Sequence, residues 1–288
     1  MQKNPPVTKA VIPVGGLGIR FLPVTRTVPK PLLPILNVPV IEYAVREAAA
    51  AGITDIAIVM SHGMEPVADY FHRQPKLEAQ LKQRGEDGVL AAQIELASLA
   101  NVITIFQDEP KGPGHAILQA QEFCDGEPFI TIFPDDVIIN RPSATEQLIK
   151  VYKKHGGSVI GVNEAKKEVI PTKGIIGGKP VSDGVHTVET LVEKPAVEDA
   201  PSNLAIVARY ILDNRVFDHL TMEVPGANNE IQITDAIAAL IGISPVHAVT
   251  LIGFHADTGN PGGMLEAAIY LAKQDPALSD VVNKALGK

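Results

Sequence analysis

Short apolar runs alternate with longer helical segments through the first 165 residues, and this alternation constrains the fold more than any other feature. Strands are predicted at residues 10–14, 55–60, 102–107, 129–133 and 158–162. Helices are predicted between them at residues 38–51, 77–85, 89–99, 115–123 and 144–155. This repetition predicts an α/β fold with a Rossmann-like, mostly parallel central sheet flanked by helices. Ligands of such sheets bind beyond the carboxyl ends of the strands.

The second half of the chain has a different pattern. After about residue 165 the apolar runs become shorter and richer in turn residues, which predicts a smaller mixed or antiparallel β subdomain. The uncharged stretch 236–254 is interrupted by Gly242 and Pro245, so it predicts a helix end, a turn and a strand at 246–254 rather than a membrane span. Residues 276–288 predict a C-terminal amphipathic helix that covers the body or joins a subunit interface.

Composition excludes several classes of protein. The net charge of −8 is unlike the basic face of a nucleic-acid-binding protein, so no nucleic-acid partner is expected. Cys124 is the single cysteine, which leaves no intrachain disulfide and favours a reducing compartment. The first eight residues contain no apolar signal segment, so we expect a cytoplasmic protein with no membrane partner.

A glycine- and proline-rich loop follows the first predicted strand, at residues 15–34. It combines three glycines with three cations: Gly15, Gly16, Gly18, Arg20, Arg26 and Lys30. Such glycines let backbone N–H groups approach phosphate oxygens, and the cations neutralise them. The loop is neither a dinucleotide fingerprint, because Phe21 replaces the third glycine, nor a P-loop. The alternative is a loop that only turns the chain.

Acidic residues follow two predicted strands. Asp135 and Asp136 follow the apolar run that ends at residue 133, and Asp257 ends the apolar run at residues 249–257. Two carboxylates at one crevice suit Mg²⁺, which combines one or two carboxylates with phosphate oxygens and water. The alternative for the Pro-Asp-Asp sequence is a turn that caps a helix.

Six motifs in order resemble those of the bacterial UTP–glucose-1-phosphate uridylyltransferases, within the sugar nucleotidyltransferase superfamily. They are the glycine loop, KGPGHA at 111–116, FPDD at 133–136, VEKP at 192–195, PSNLAIV at 201–207 and EIQITDA at 230–236. The resemblance extends from Lys9 to about Ala268. It implies one nucleotidyltransferase domain over residues 1–288, with a nucleotide-binding part at about 9–165, a sugar-binding part at about 166–275 and the C-terminal helix at 276–288.

The resemblance also implies an activity and a site. The activity is Mg²⁺-dependent, reversible transfer of the uridylyl group from UTP to glucose 1-phosphate, by a homodimer or homotetramer. The implied catalytic cations are Arg20, Lys30 and Lys194, and the implied metal ligands are Asp135 and Asp257. The implied nucleotide-binding residues are Gly15, Gly16, Gly18, Gln107, Gly112 and Gly114. The implied sugar-binding residues are Asp136, Gly174, Glu193 and Lys194.

Three departures from that family keep alternatives open. Ile19 replaces a threonine of the loop, and Pro31-Leu32 resembles thymidylyl- and guanylyltransferases, so transfer of another nucleotide is an alternative. Pro261 replaces a lysine after the D-x-G-N motif, and Lys273 lies too far along a helix to replace it. This loss leaves a weakly active or regulatory binding paralogue as a third hypothesis.

Overall fold

A mixed nine-stranded sheet forms the centre of the part of the chain described by the structure, a computed structural model covering residues 4–222, 230–285 and 287. The strands are β1 (Lys9–Pro13), β2 (Pro34–Ile35), β3 (Val38–Pro39), β4 (Asp55–Met60), β5 (Asn101–Phe106), β6 (Phe129–Ile132), β7 (Asp136–Ile139), β8 (Ser158–Glu164), β9 (Gly174–Ser182), β10 (Val185–Glu193), β11 (Leu204–Leu212), β12 (Val246–Thr250) and β13 (Phe254–Asp257). The helices are α1 (Val40–Ala50), α2 (Pro66–Asp69), α3 (Pro75–Arg84), α4 (Asp87–Leu96), α5 (Pro113–Leu118), α6 (Gln121–Cys124), α7 (Ala144–His155), α8 (Val216–Met222), α9 (Ile233–Leu240), α10 (Pro261–Gln274) and α11 (Pro276–Ala285).

The order of the main sheet is β5-β4-β1-β6-β11-β8-β12-β10-β9. Strands β5, β4, β1 and β6 are parallel, as the sequence predicts. Strand β11 is antiparallel to both β6 and β8, and β10 is antiparallel to β12 and β9. The α/β class is therefore confirmed, but the main sheet is mixed rather than mostly parallel: its parallel pairs are those among β5, β4, β1 and β6 and the pair β8–β12.

Strand β11 is the main reason that the sheet is mixed rather than mostly parallel. Its sequence LAIVARYIL is a nearly continuous apolar run that is buried along most of its length, which is typical of a strand inside a sheet. It therefore inserts between β6 and β8 rather than extending a separate layer. After residue 165, where a smaller mixed or antiparallel β subdomain was predicted, β9 and β10 form an antiparallel hairpin that continues the main sheet.

Several local predictions are confirmed, and one strand is divided. Helix α7 begins and ends where predicted: Ser143 and Glu146 form a capping box at its start, and Gly156, with a φ of +70°, follows its last residue. The predicted strand at 246–254 divides into β12 and β13, because Gly253 at φ +140° turns the chain. Helix α11 confirms the C-terminal helix for Pro276–Ala285, while residues 286 and 288 lie outside the described residues. Among the described helices, none is long and apolar enough to cross a bilayer.

The hydrophobic core occupies both faces of the main sheet. One cluster joins the sheet to α1 and α7, and a second joins it to α5, α8 and α9. Strands β7 and β13 form a separate antiparallel ribbon in which Asp136 and Asp257 are partners. The ribbon begins four residues after the end of β6, and the glycine loop begins two residues after the end of β1. The fold therefore gathers the predicted loop and carboxylates beyond the carboxyl ends of adjacent parallel strands.

Candidate active site

Two adjoining cavities lie at this edge of the sheet. The first, of about 280 Å³, is lined by Gly15, Gly16, Lys30, Gln107, Gly112 and Asp135, among others. The second, of about 200 Å³, is lined by Asp136, Gly174, Glu193 and Lys194, among others. Both cavities are also lined by Pro113 and Phe133. The structure therefore separates most of the predicted nucleotide-binding residues from the predicted sugar-binding residues, and places the two sets side by side.

Gly15 and Gly16 leave room at the floor of the first cavity. A Cβ on Gly15 would lie 3.3 Å from Oε1 of Gln107 and 3.4 Å from Oγ of Ser61. A Cβ on Gly16 would meet no protein atom within 4 Å, so it would extend into open space beside the cavity. The absence of side chains here exposes backbone and the Gln107 amide to a ligand.

The rest of the loop is shaped by short 3₁₀ turns. Gly18 has a φ of +64°, and the hydroxyl of Thr25 donates to its carbonyl at 2.9 Å. Gly18 therefore shapes the loop and is not among the residues that line either cavity. Arg20 is exposed in the turn Ile19–Phe21 and makes no hydrogen bond or ion pair with any described residue. Its catalytic role stays a prediction.

Lys30, Asp135 and Asp257 converge on Gly259. The ammonium of Lys30 donates to Oδ2 of Asp135 at 2.6 Å. A Cβ on Gly259 would lie 2.7 Å from Oδ1 of Asp257, 3.2 Å from Oδ2 of Asp135 and 3.4 Å from Nζ of Lys30. Thr258 fixes the turn, since its backbone N–H and its hydroxyl both donate to the carbonyl of Asp135, at 2.7 and 2.8 Å.

The two aspartates form a donor set that fits Mg²⁺. Among the described residues no group of three or more His, Cys, Asp or Glu side chains forms a metal site. Two hard carboxylates beside a cavity are the protein ligands that Mg²⁺ uses when phosphate oxygens and water complete its coordination. Asp135 and Asp257 thus remain candidates as ligands, with Lys30 compensating part of their charge.

Gln107 occupies the wall of the first cavity beside the KGPGHA segment. Its side chain is buried, and its amide nitrogen contacts Gly112 O at 3.3 Å and Nδ1 of His115 at 2.9 Å. Burial lowers the pKa of His115, and the positive charge of Lys111 lowers it further. The ring is therefore neutral near pH 7.

Gly112 and Gly114 have a packing role that the sequence does not predict. A Cβ on either would lie 2.9 Å or less from the chain at residues 230–231. The N–H of Gly114 donates to Ile231 O at 2.8 Å, and the N–H of Ile231 donates to Lys111 O at 2.8 Å. These glycines let the 111–114 segment pair with residues 230–231. Gly112 lines the first cavity, whereas Gly114 does not, and its nucleotide contact stays a prediction.

Strand register builds the second cavity. Gly174 on β9 pairs with Glu193 on β10, and a Cβ on Gly174 would lie 3.1 Å from the Glu193 carboxylate. That carboxylate accepts a hydrogen bond from the Thr234 hydroxyl at 2.9 Å and pairs with Lys194 at 3.1 Å. Lys194 has a left-handed φ of +47°, uncommon for a lysine, and its N–H donates to Lys173 O.

A second carboxylate–ammonium pair lies in the same cavity. Asp136 is buried and accepts a hydrogen bond from Nε2 of His255 at 2.7 Å, while Nζ of Lys173 lies 3.8 Å from its other oxygen. Burial alone would raise the pKa of Asp136, but the His255 hydrogen bond and the Lys173 charge bring that pKa below its ordinary value. The carboxylate is therefore ionised near pH 7.

Arg209 is a buried residue that contacts the chain segment between the two cavities. It is fully buried on β11 and pairs with Glu47 at 3.0 Å. It also donates to the carbonyls of Phe133 and Asp136, at 2.9 and 2.7 Å. These two carbonyls bracket Asp135, so the guanidinium fixes the turn that presents it.

Sequence reasoning missed Lys173, Thr234, Phe133 and Arg209 as site residues. Lys173 directly precedes the predicted Gly174, and Thr234 belongs to the EIQITDA motif, so the sequence motifs could have identified both. Arg209, in contrast, interrupts an apolar strand, and only the tertiary structure shows which turn it contacts.

The departure at Pro261 has a local explanation. Pro261 is the first residue of α10, where proline's fixed φ suits a helix start, and Asn260 caps the same helix. Lys273 lies twelve residues further along, about 18 Å at 1.5 Å per residue. It therefore does not replace a cation at the beginning of the helix.

Two adjoining cavities at the carboxyl edge of one sheet are the arrangement expected of a transferase that binds two small polar substrates side by side. The chain belongs to the nucleotidyl transferase family, whose sequence profile matches residues 9–274. Within it, the chain is 42% identical over 278 residues to the UTP–glucose-1-phosphate uridylyltransferase of Staphylococcus haemolyticus, covering 96% of each chain.

Solved structures show the same similarity. A UDP-glucose pyrophosphorylase complexed with UDP-glucose matches with a TM-score of 0.85 at 36% identity, over 94% of this chain and 100% of that chain. A UTP-bound UGPase from Acinetobacter baumannii matches with a TM-score of 0.88 at 30% identity, over 98% of this chain and 99% of that chain.

Proposed function

We propose that this chain transfers the uridylyl group of UTP to glucose 1-phosphate, giving UDP-glucose and pyrophosphate. The observation that carries the proposal is the meeting of two differently built cavities at Phe133, between Lys30–Asp135 on one side and Glu193–Lys194 on the other. The names of relatives at about 40% identity, and of structures bound to UTP and UDP-glucose, support the same substrates.

The reaction needs positioning and charge compensation more than acid–base chemistry. A phosphate oxygen of glucose 1-phosphate attacks the α-phosphorus of UTP, the bond from that phosphorus to the bridging oxygen breaks, and the electron pair leaves with pyrophosphate. The attacking phosphate is largely ionised near pH 7, because its second pKa is about 6. Two anions must nevertheless approach each other, so cations on both sides lower the barrier.

In this proposal each cavity binds one substrate. The backbone around Gly15 and Gly16 and the Gln107 amide contact the base, while Lys30 and the exposed Arg20 bind the triphosphate. Lys194 and Lys173 bind the sugar phosphate, while Glu193 and Asp136 accept hydrogen bonds from sugar hydroxyls. Asp135 and Asp257 would bind Mg²⁺, which would neutralise charge on both phosphate groups when bound.

The other proposed properties rest on the sequence. Cytoplasmic location is supported by the single, buried Cys124. A homodimer or homotetramer is proposed from the family resemblance. The acidic net charge of −8 supports a function without nucleic acid.

The test is pyrophosphate release by the purified chain with glucose 1-phosphate and magnesium, comparing UTP with dTTP, GTP, CTP and ATP. We expect a strong UTP preference and no release without magnesium. A dTTP preference would instead favour the thymidylyl alternative, in which Pro31 at the wall of the first cavity is the distinguishing residue. No release with any nucleotide would contradict the proposed activity and favour a binding paralogue.

A further inference from the structure

The backbone and the side chain of Asp136 are held by two different residues. Arg209 donates to the backbone carbonyl of Asp136 at 2.7 Å. The side chain is held by His255, whose Nε2 lies 2.7 Å from Oδ1. A carboxylate oxygen accepts hydrogen bonds, so Nε2 is the donor in this contact. One of the two carboxylate oxygens is therefore occupied, and the orientation of the carboxylate is fixed.

The register of the β7–β13 ribbon brings His255 to this oxygen. Asp136 is directly opposite Asp257, and Ile138 is directly opposite His255. Side chains alternate along a strand, so His255 and Asp257 lie on the same face of the ribbon as Asp136. His255 is thus the diagonal neighbour of Asp136, a distance that a long side chain can span.

The second oxygen of Asp136 faces the second cavity. Nζ of Lys173 lies 3.8 Å from Oδ2, which is too far for a hydrogen bond, and no donor among the described residues bonds to this oxygen. Asp136 and Lys173 both line the second cavity, whereas His255 lines neither cavity. The carboxylate therefore has Oδ1 bound outside the cavity and Oδ2 directed toward a residue of the cavity wall.

The gap between Oδ2 and the Lys173 ammonium has a consequence for ligand binding. Without the His255 hydrogen bond, the carboxylate could turn and shorten the 3.8 Å separation to a direct, charge-assisted hydrogen bond. Each group would then be occupied by the other. With Oδ1 held by His255, Oδ2 remains available as an acceptor for a hydroxyl group, and the ammonium remains available for a phosphate.

We propose that His255 is a positioning residue for the sugar: by holding Oδ1 of Asp136, it keeps Oδ2 apart from Lys173 and available to one hydroxyl of the hexose. This inference rests on the proposed function, in which the second cavity binds the sugar phosphate. His255 acts through Asp136 and does not itself line the cavity.

The experiment measures the Kd of UDP-glucose and the Kd of UTP by calorimetry on the intact protein. We expect His255→Leu to raise the Kd of UDP-glucose roughly threefold to tenfold, the equivalent of one hydrogen bond, with the Kd of UTP changed less than about twofold. His255→Gln keeps an N–H donor, so it should restore both values to near those of the wild type. The control is His72→Leu, an exposed histidine beside Asp69, which should change neither value.

Analogues of UDP-glucose that each lack one hexose hydroxyl identify the group that Oδ2 accepts from. For one of them, the loss of affinity seen with the wild-type chain should largely disappear in His255→Leu, because the hydroxyl and the histidine act through the same carboxylate. If every loss were as large in His255→Leu as in the wild type, the proposal would be overturned.

The two ligands separate positioning from general structural damage. Equal rises in the Kd of UTP and of UDP-glucose in His255→Leu would overturn the proposal, as would a His255→Gln variant that binds UDP-glucose as weakly as His255→Leu. A chain that shows the expected binding but releases no pyrophosphate would contradict only the proposed reaction. A chain that catalyses the reaction, but whose affinity for UDP-glucose is unchanged in His255→Leu, would contradict only this inference.

Discussion

The two cavities are built in opposite ways although they share a wall. The first is formed mainly by loops, and it depends on the space and exposed backbone that the glycines Gly15, Gly16 and Gly112 leave. The second is built from paired strands and depends on charges, since Glu193–Lys194 and Asp136–Lys173 form two ion pairs within it. Added atoms should therefore damage the first cavity, and removed charges should damage the second.

Asp135 lines the first cavity and directly precedes Asp136, which lines the second, and its substitution should have the largest effect. We expect Asp135→Asn to lower turnover at least about hundredfold, because it removes the carboxylate that pairs with Lys30 and is a proposed metal ligand. The fold should persist, since Thr258 bonds the backbone carbonyl rather than the carboxylate. Pyrophosphate release and the melting temperature test this, with exposed Asp183→Asn as the control. Turnover within threefold of wild type would exclude the metal assignment.

Gly112→Ala adds one carbon to the first cavity's wall. Its φ is +105°, and the new Cβ would lie 2.7 Å from Cβ of Glu230 and 2.9 Å from the Ile231 backbone. We expect a loss of about 2 kcal/mol or more in the free energy of unfolding, with a raised KM for UTP. Urea denaturation measures the first effect.

Gly88→Ala in α4 is the matched control, because its Cβ would meet nothing within 4 Å. An alanine there should stabilise by roughly 0.5–1 kcal/mol. If both variants were equally stable, the close approach of residues 112 and 230–231 would not constrain the first cavity.

Removing a charge from the second cavity should act on one substrate. We expect Lys194→Met to raise KM for glucose 1-phosphate roughly tenfold to a hundredfold, the loss of one charge-assisted contact, with KM for UTP changed less than twofold. Lys173→Met should give a smaller rise in the same constant. Exposed Lys179→Met is the control. An equal rise in both KM values would contradict the division between cavities.

The sequence predicted the first cavity's residues better than its geometry. The glycine loop identified Gly15, Gly16 and Lys30, the family resemblance and its place at a strand end identified Gln107, and periodicity predicted the parallel strands before them. It did not predict that β11 would insert into the sheet, because a continuous apolar strand carries no mark of its direction.

In the second cavity, even fewer of the contacts between residues could be predicted from the sequence. Glu193 and Gly174 were identified by resemblance, but their pairing follows from the β9–β10 register, which is set by long-range contacts. Lys173 was missed because its proximity to Asp136 depends on two segments far apart in the chain. Contacts between residues that are far apart in the chain are not marked by any local sequence motif.

Thr234→Val should have the smallest effect of these substitutions, and it should affect only the second cavity. The substitution keeps the shape of the side chain but removes the hydroxyl that donates to Glu193 at 2.9 Å. Glu193 would still pair with Lys194, so it would stay in place but turn more freely. We expect KM for glucose 1-phosphate to rise about threefold to tenfold, the loss of one hydrogen bond, with kcat and KM for UTP unchanged. The control is Thr187→Val, whose hydroxyl donates to Lys179 O at the exposed part of the same hairpin. A change in KM for UTP of the same size would mean that the Glu193 carboxylate is coupled to the first cavity. In that case the two cavities, which share Phe133, would not bind their substrates independently.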